Sequence, residues 1–405
     1  MKKFDPSAAI NEYLVFGEFG DVNPSITDSS TYTFQNPGKM DELFDHEIEG
    51  CFLYSRHWNP INKYLSNALS KMEDTESAQV TSSGMAAISS AILGICSTGD
   101  EIISGRTIYG GTYALFKNFL PRLGITVKFI DIHDHSLIEK SITDKTKIIY
   151  AESISNPLLE VTDIPAISKI SKKHGLKFII DNTFSPMIIT PVRLGADITV
   201  HSMTKFINGT SDCVAGCICS SHDFIASLAD INSGSTMLLG PVLDSFRAAS
   251  ILKNLHSLHI RIKKHSENAL FLAEEFEKLG LKVYYPGLSS NRHYELYNSI
   301  RNEGFGYGGM LAIDAGSYEK ACGLMTRMQE EKVGYLAVSL GYFKTLFSSP
   351  GHSTSSEIPE EEQKKIGLSK GLVRFSIGLD NDIVPAFDKI KKCMKEFNIN
   401  LKTEI

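Results

Sequence analysis

The feature that most constrains this chain is an alternation of short apolar runs with amphipathic stretches, beginning near residue 60. Strand-like runs occur at 101–104, 126–130, 148–150, 177–181 and 197–200, and helix-like stretches fit 83–95, 112–123 and 164–174. Strands interleaved with helices at this spacing make βαβ units and a mostly parallel sheet. The runs are continuously apolar, as strands covered on both faces require.

After about residue 240 the texture changes. A long amphipathic stretch at 258–279 reads as a helix linking two bodies. Beyond it come strands at 281–285, 310–313, 337–340 and 373–377, with helices near 318–330 and 383–396. This looser interleaving fits a smaller α+β domain. The stretch 347–363, rich in Ser, Gly, Pro and Glu, reads as a surface loop, and residues 1–58 as an extended arm punctuated by Asn23-Pro24 and Asn36-Pro37-Gly38. The expected organisation is an arm (1–58), a large domain (59–255) and a C-terminal domain (256–405). For 405 residues, length alone gives about 2.7 domains.

Composition excludes several classes. Forty-one basic against 47 acidic residues, a net charge of −6, argues against nucleic-acid binding. No run of about eighteen apolar residues supplies a membrane span. The start, Met1-Lys2-Lys3-Phe4-Asp5-Pro6, lacks the apolar stretch of a secretory signal. Seven cysteines, an odd number in a long chain, do not suggest a disulfide framework. Cys213, Cys217 and Cys219 lie in an apolar run and read as thiols of a buried strand. A reduced, cytoplasmic setting is expected.

Two pattern matches fail on context. Gly304-Phe305-Gly306-Tyr307-Gly308-Gly309 fits G-x-G-x-x-G, but a strand-like run follows where a helix is needed. Ser202-Met203-Thr204-Lys205 fits S-x-x-K without the companion motifs of a serine acyl-enzyme. His133, His135, His256 and His259 carry no metal-ligand spacing, so no metal site is expected.

The informative region is 181–205. Asp181 ends one buried apolar run and Lys205 follows another, and parallel sheets bind ligands at the carboxyl ends of their strands. An acid and a lysine meeting there suit pyridoxal phosphate: the lysine forms a Schiff base and the carboxylate keeps the pyridine nitrogen protonated. Asp and Lys follow many strands, so the pair alone also fits two solvated turn residues. Ser82-Ser83-Gly84-Met85 opens a helix, and helix N-termini attract phosphate; a plain serine N-cap would look the same. Ser202 and Thr204 add hydroxyls beside the lysine.

With these residues the chain resembles the Cys/Met-metabolism group of fold-type I pyridoxal-phosphate enzymes, which includes cystathionine synthases and lyases, acyl-homoserine thiol-lyases and methionine γ-lyases. The resemblance runs over about residues 11–395. It rests on Tyr54-Ser55-Arg56-His57-Trp58-Asn59-Pro60, Ser82-Ser83-Gly84-Met85, Tyr109-Gly110-Gly111-Thr112, Asp181-Asn182-Thr183-Phe184, His201 to Gly209, Ala337-Val338-Ser339-Leu340-Gly341 and Gly371-Leu372-Val373-Arg374-Phe375-Ser376. It implies an α/β fold, with a large mostly parallel sheet domain and a smaller α+β C-terminal domain. Lys205 would hold the cofactor and shuttle protons, and Asp181 would pair with the pyridinium. Ser83, Gly84, Met85, Ser202 and Thr204 would hold the phosphate. Tyr109 would stack on the ring and assist departure of the γ-substituent. Arg374 would clamp the substrate carboxylate, with Asn156 and Ser339 nearby and Gly111 on the substrate side. Tyr54 and Arg56 would reach the phosphate of a neighbouring subunit, which implies a homodimer paired into a tetramer; packing of the arm on its own domain is the plainer reading.

Several segments resemble the plant-type methionine γ-lyases: Phe16 to Asn23, Met237-Leu238-Leu239-Gly240-Pro241, Gly306-Tyr307-Gly308-Gly309, Gly341 to Leu346 and Thr354-Ser355-Ser356-Glu357. These members have glycine at the Gly111 position, where bacterial ones have cysteine. The resemblance thus implies γ-elimination from the sulfur amino acid methionine. The alternatives are γ-replacement on an acyl-homoserine, as in thiol-lyases and cystathionine γ-synthases, or cystathionine γ-elimination. A cofactor-free scaffold on the same fold is the reading from another class.

Overall fold

The computed structural model describes residues 4–34, 36–45, 48, 50–352 and 359–399. Seven strands build the first sheet: β1 (Ser77–Thr81), β2 (Glu101–Gly105), β3 (Thr126–Ile130), β4 (Thr146–Glu152), β5 (Lys177–Asp181), β6 (Ile198–Ser202) and β7 (Gly216–Ser220). Their order is β1-β7-β6-β5-β4-β2-β3. Neighbours from β3 to β6 run parallel, and β7 runs antiparallel to both β6 and β1. The expected mostly parallel sheet is present. In β4, Ile149 and Ala151 enter one core while Ile148 and Tyr150 enter another; Phe178 and Ile180 of β5 oppose Ile179 in the same way. Two-sided burial explains the continuous apolar runs. Each fully buried isoleucine contributes about 1.5–3 kcal/mol.

Side-chain caps start the helices that cover this sheet. Ser83 Oγ caps the helix Gly84–Leu93 by accepting from Ala86 N, and Asp163 caps Ile164–Lys173, which has proline in its first turn. Strands β4, β5 and β6 finish on Glu152, Asp181 and Ser202, so three polar residues gather at one sheet edge.

The helix Leu258–Lys278 joins two cores. Leu258 and Ile262 pack in the first, and Ala269, Leu272 and Phe276 in another. The latter lies against a second sheet of β8 (Val283–Tyr284), β9 (Met310–Asp314), β10 (Gly334–Leu336), β11 (Thr345–Ser348) and β12 (Leu372–Ser376). Its order is β10-β11-β12-β9-β8, antiparallel except for β10 with β11. Helices Tyr318–Glu330 and Val384–Glu396 pack on it.

Four expectations need correction. Residues 337–340 are not a strand. Regular structure stops at Leu336 and the chain turns through Gly341, whose φ is +79° and whose Cα faces the Phe206 backbone so closely that a β-carbon would stand 2.5 Å from Phe206 N. The stretch 347–363 is not one loop: β11 is buried, and Glu360–Lys365 is helical. Residues 353–358, including Thr354-Ser355-Ser356-Glu357, lie outside the described residues. The arm contains helices Pro6–Glu12 and Pro37–Asp45. The helical stretch near 112–123 is broken into an α-turn, a π-turn at Leu115–Phe119 and a 3₁₀ turn containing Pro121. Of the cysteine-rich run only Gly216–Ser220 forms a strand, β7, in which Cys217 and Cys219 are fully buried free thiols; Cys213 is a buried thiol that precedes the strand. The glycine-rich segment before Met310 turns directly into β9, as expected. Among the described residues, no helix is long and apolar enough to cross a membrane.

Candidate active site

The strand ends open on a cavity of about 290 Å³. Ser83, Gly84 and Met85 line it from the start of the helix Gly84–Leu93, and Ser202, Thr204 and Lys205 from the turn after β6. Tyr109, Asn156, Asp181 and Arg374 complete the group of expected residues on its wall. Residues from six separate stretches of chain thus converge on one volume.

Lys205 Nζ donates to Ser339 Oγ at 3.2 Å. Burial, and secondarily the Arg374 guanidinium, lower its ammonium pKa from 10.5 to about 8. Such a lysine sheds its proton far more readily than a solvated one. Asp181 Oδ1 accepts from Thr183 N at 3.0 Å and Oδ2 from Tyr150 OH at 3.4 Å. Burial raises its carboxyl above the usual range, opposed by the hydrogen bonds from Thr183 and by His201. A buried acid in that state gains from a cationic partner.

The helix start forms a cradle that only small residues permit. A β-carbon on Gly84 would stand 2.7 Å from Ser202 Cβ, and one on Gly216 would stand 2.2 Å from Ser83 O. The first backbone N–H groups of a helix have no intrahelical acceptor, and Ser83, Gly84 and Met85 at this positive helix end line the cavity, where an anion gains from them. Thr204 contributes differently from its neighbours. Its Oγ1 donates to Ala215 O at 3.3 Å and accepts from Ala215 N at 3.0 Å, tying the lysine turn to the chain entering β7.

Arg374 is buried in β12, 2% exposed. By strand pattern alone it would read as a surface residue; its burial is made possible by partners. Nη1 donates to Asn156 Oδ1 at 2.8 Å and Nη2 to Ser348 Oγ at 3.3 Å. Burial lowers its pKa to about 10.

Four expected residues stand apart from the cavity wall. Ser339 is joined to it through Lys205. Gly111 lies beneath Tyr109, where a β-carbon would stand 2.5 Å from Tyr109 Cε1. Tyr54 and Arg56 do not line this chain's cavity. Arg56 Nη1 donates to Met237 O at 2.8 Å, its guanidinium carbon is 5.8 Å from the Tyr54 ring centre, and Tyr54 is 43% exposed.

Glu152, Thr183 and Ser348 escaped the reading of the sequence. Glu152 Oε1 accepts from Tyr109 N at 2.7 Å and Oε2 from Asn156 N at 2.8 Å. Burial and then Asp181 push its carboxyl well above the usual range, against those two N–H donors. It ends an apolar strand as Asp181 does, which was the available signal. A second buried pair sits beside β6. Burial alone would lower His201, but Glu73 Oε1, 2.8 Å from its Nε2, reverses this and raises its pKa to about 9.

The family model for Cys/Met metabolism PLP-dependent enzymes matches residues 10–389. The chain belongs to this family. Its cofactor is pyridoxal 5′-phosphate, and a cavity with a narrow helix start at Gly84, a buried acid at Asp181 and a buried amine at Lys205 fits such a group in charge and chemistry. Among relatives of this family member, "Methionine gamma-lyase" of Arabidopsis thaliana is 43% identical over 92% of this chain and 86% of its own length. "Cystathionine gamma-lyase" of Bacillus subtilis is 35% identical over 81% of this chain and 85% of its own. Among solved structures, a "putative O-acetylhomoserine (thiol)-lyase" from Campylobacter jejuni superposes with a TM-score of 0.89 at 29% identity, covering 97% of this chain and 100% of its own. That structure carries N′-pyridoxyl-lysine-5′-monophosphate.

Proposed function

We propose that this family member is a methionine γ-lyase, which converts L-methionine and water to methanethiol, 2-oxobutanoate and ammonia. The observation that carries the reading is the seat of Tyr109 on Gly111, where no side chain fits without moving the ring. It goes together with glycine at this position in the plant-type enzymes and with the 43% identity to the Arabidopsis lyase.

Each residue has a task that its surroundings favour. Ser83, Gly84, Met85 and Ser202 would hold the cofactor phosphate at the helix start, with Thr204 shaping the turn. Asp181 would hold the proton on the pyridine nitrogen. When bound, pyridoxal phosphate supplies an electron sink that acidifies the amino acid at Cα and Cβ. Arg374, oriented by Asn156 and Ser348, would take the substrate carboxylate in a two-pronged grip. Lys205 Nζ, with its depressed pKa, would carry protons at Cα and Cβ. The Tyr109 hydroxyl would give a proton to the departing methylthiolate, a poor leaving group without it.

The working unit in this reading is a dimer, paired into a tetramer. Tyr54 and Arg56 would complete the phosphate site of the adjacent copy, a role supported by their standing outside the lining of their own cavity. The arm (1–58) would then serve the neighbour's large domain (59–255), with 256–405 as the smaller domain.

A second reading, γ-replacement on an O-acyl-homoserine, draws support from the likeness to the thiol-lyase structure. Purified holoenzyme given L-methionine separates the two. The lyase releases 2-oxobutanoate, whereas the transferase leaves methionine intact and forms a thioether from acyl-homoserine plus a thiol.

A further inference from the structure

We infer that His133, Glu160 and His293 form a binding site for a divalent transition-metal ion of the zinc type, away from the amino-acid cavity. One nitrogen from each histidine and one oxygen from the glutamate lie within 4.8 Å of one another. His133 Nε2 and Glu160 Oε2 are 4.0 Å apart, and the two imidazole centres are 5.1 Å apart. Donors held tetrahedrally at zinc distances stand about 3.3 Å apart, so each has to move by about 1 Å or less. Beside them is a cavity of about 10 Å³, lined in part by Thr107, Asp131, His133 and Glu160. That volume takes about one water-sized particle.

Hydrogen bonds hold Glu160 and His133 in place. Thr107 Oγ1 donates to Glu160 Oε2 at 3.2 Å, and Ser155 Oγ accepts from Glu160 N at 3.1 Å. Asp131 Oδ1 accepts from His133 N at 3.1 Å. The Thr107 bond acts on the carboxylate itself, an outer contact of the kind that fixes ligand direction; the other two hold the backbone of Glu160 and His133. Two imidazoles and one carboxylate suit zinc or nickel and not magnesium or calcium, which take oxygen ligands.

Arg292 holds two of the three residues. Its Nη2 pairs with Glu160 Oε1, and its Nε donates to His293 Nε2 at 3.0 Å. The Arg292 side chain is 69% exposed, so it can swing into solvent when a metal enters. His133 follows β3, Glu160 lies between β4 and β5, and His293 is the N-cap of the helix Tyr294–Ile300. An ion shared by all three would tie that helix to the edge of the large sheet.

The test is calorimetric titration of untagged, chelator-stripped holoenzyme with zinc chloride, alongside thermal unfolding with and without zinc. The expected result is one ion per chain and a higher unfolding midpoint with zinc. His133→Ala and His293→Ala should each raise Kd at least ten-fold, and His293→Ala should abolish the midpoint shift. Arg292→Ala removes the competing cation and should lower Kd several-fold. Absence of saturable binding overturns the site. So does binding unaffected by either histidine substitution, binding lost instead in Cys51→Ser, whose thiol is exposed, or Arg292→Ala binding no tighter than wild type.

Discussion

Gly111 supports the ring of Tyr109 so closely that a β-carbon there would stand 2.5 Å from Cε1. The nearest atom belongs to a side chain able to rotate, so a larger residue displaces the ring and leaves the backbone in place. Gly111→Ala should therefore fold normally and lose kcat. Misplacing a reacting group by an ångström costs up to about a hundred-fold, and a drop of about ten-fold or more is expected. Steady-state kinetics with unchanged thermal unfolding would show it.

Glu152 accepts from the backbone N–H of the same tyrosine with Oε1 and from that of Asn156 with Oε2. Glu152→Ala takes this acceptor from the part-buried N–H of Tyr109 and the buried N–H of Asn156, each loss costing about 1–3 kcal/mol. The variant should lose about 2–6 kcal/mol of stability by denaturant titration. In what remains folded, kcat should fall through Tyr109 and KM rise through Asn156 and Arg374.

Lys205 links the site to pH. In the cofactor-free protein its pKa falls from 10.5 to about 8, so between those values the unfolded chain binds more protons than the folded one. Stability from this group therefore rises with pH across that window, and its penalty is complete below about pH 8. Lys205→Met removes a penalty on the order of 3 kcal/mol. Cofactor-free Lys205→Met should be more resistant to urea than wild type at pH 7, with the difference shrinking toward pH 10.5.

Arg374→Lys keeps the charge and loses the fork. A lysine cannot bond Asn156 Oδ1, Ser348 Oγ and a carboxylate with the same geometry. KM for the amino acid should rise about ten- to hundred-fold, the loss of about 1.5–3 kcal/mol of charge-assisted hydrogen bonding, with a smaller change in kcat. Equal falls in kcat and kcat/KM with KM constant would place Arg374 elsewhere in the reaction.

How much of this was legible in the sequence depended on how local the signal was. Asp181 and Lys205 stood out because each follows a continuous apolar strand, and strand ends in parallel sheets collect ligands. Glu152 ends its strand in the same way, but its value lies in two backbone N–H groups that only the fold brings to it. Arg374 interrupts an apolar strand and carries no pattern of burial; Asn156 and Ser348, distant in sequence, make its burial tolerable. Residues 337–340 alternate like a strand, yet the turn at Gly341 and the Ser339–Lys205 contact take them out of the sheet. His133, Glu160 and His293 show no ligand spacing because folding alone unites them.

The most direct measurement is 2-oxobutanoate formed by purified holoenzyme from L-methionine. Stoichiometric release of 2-oxobutanoate, methanethiol and ammonia, lost in Lys205→Ala, is the predicted result. No keto acid from methionine, with thioether formed from an acyl-homoserine and a thiol, would contradict the γ-lyase and make the protein a transferase.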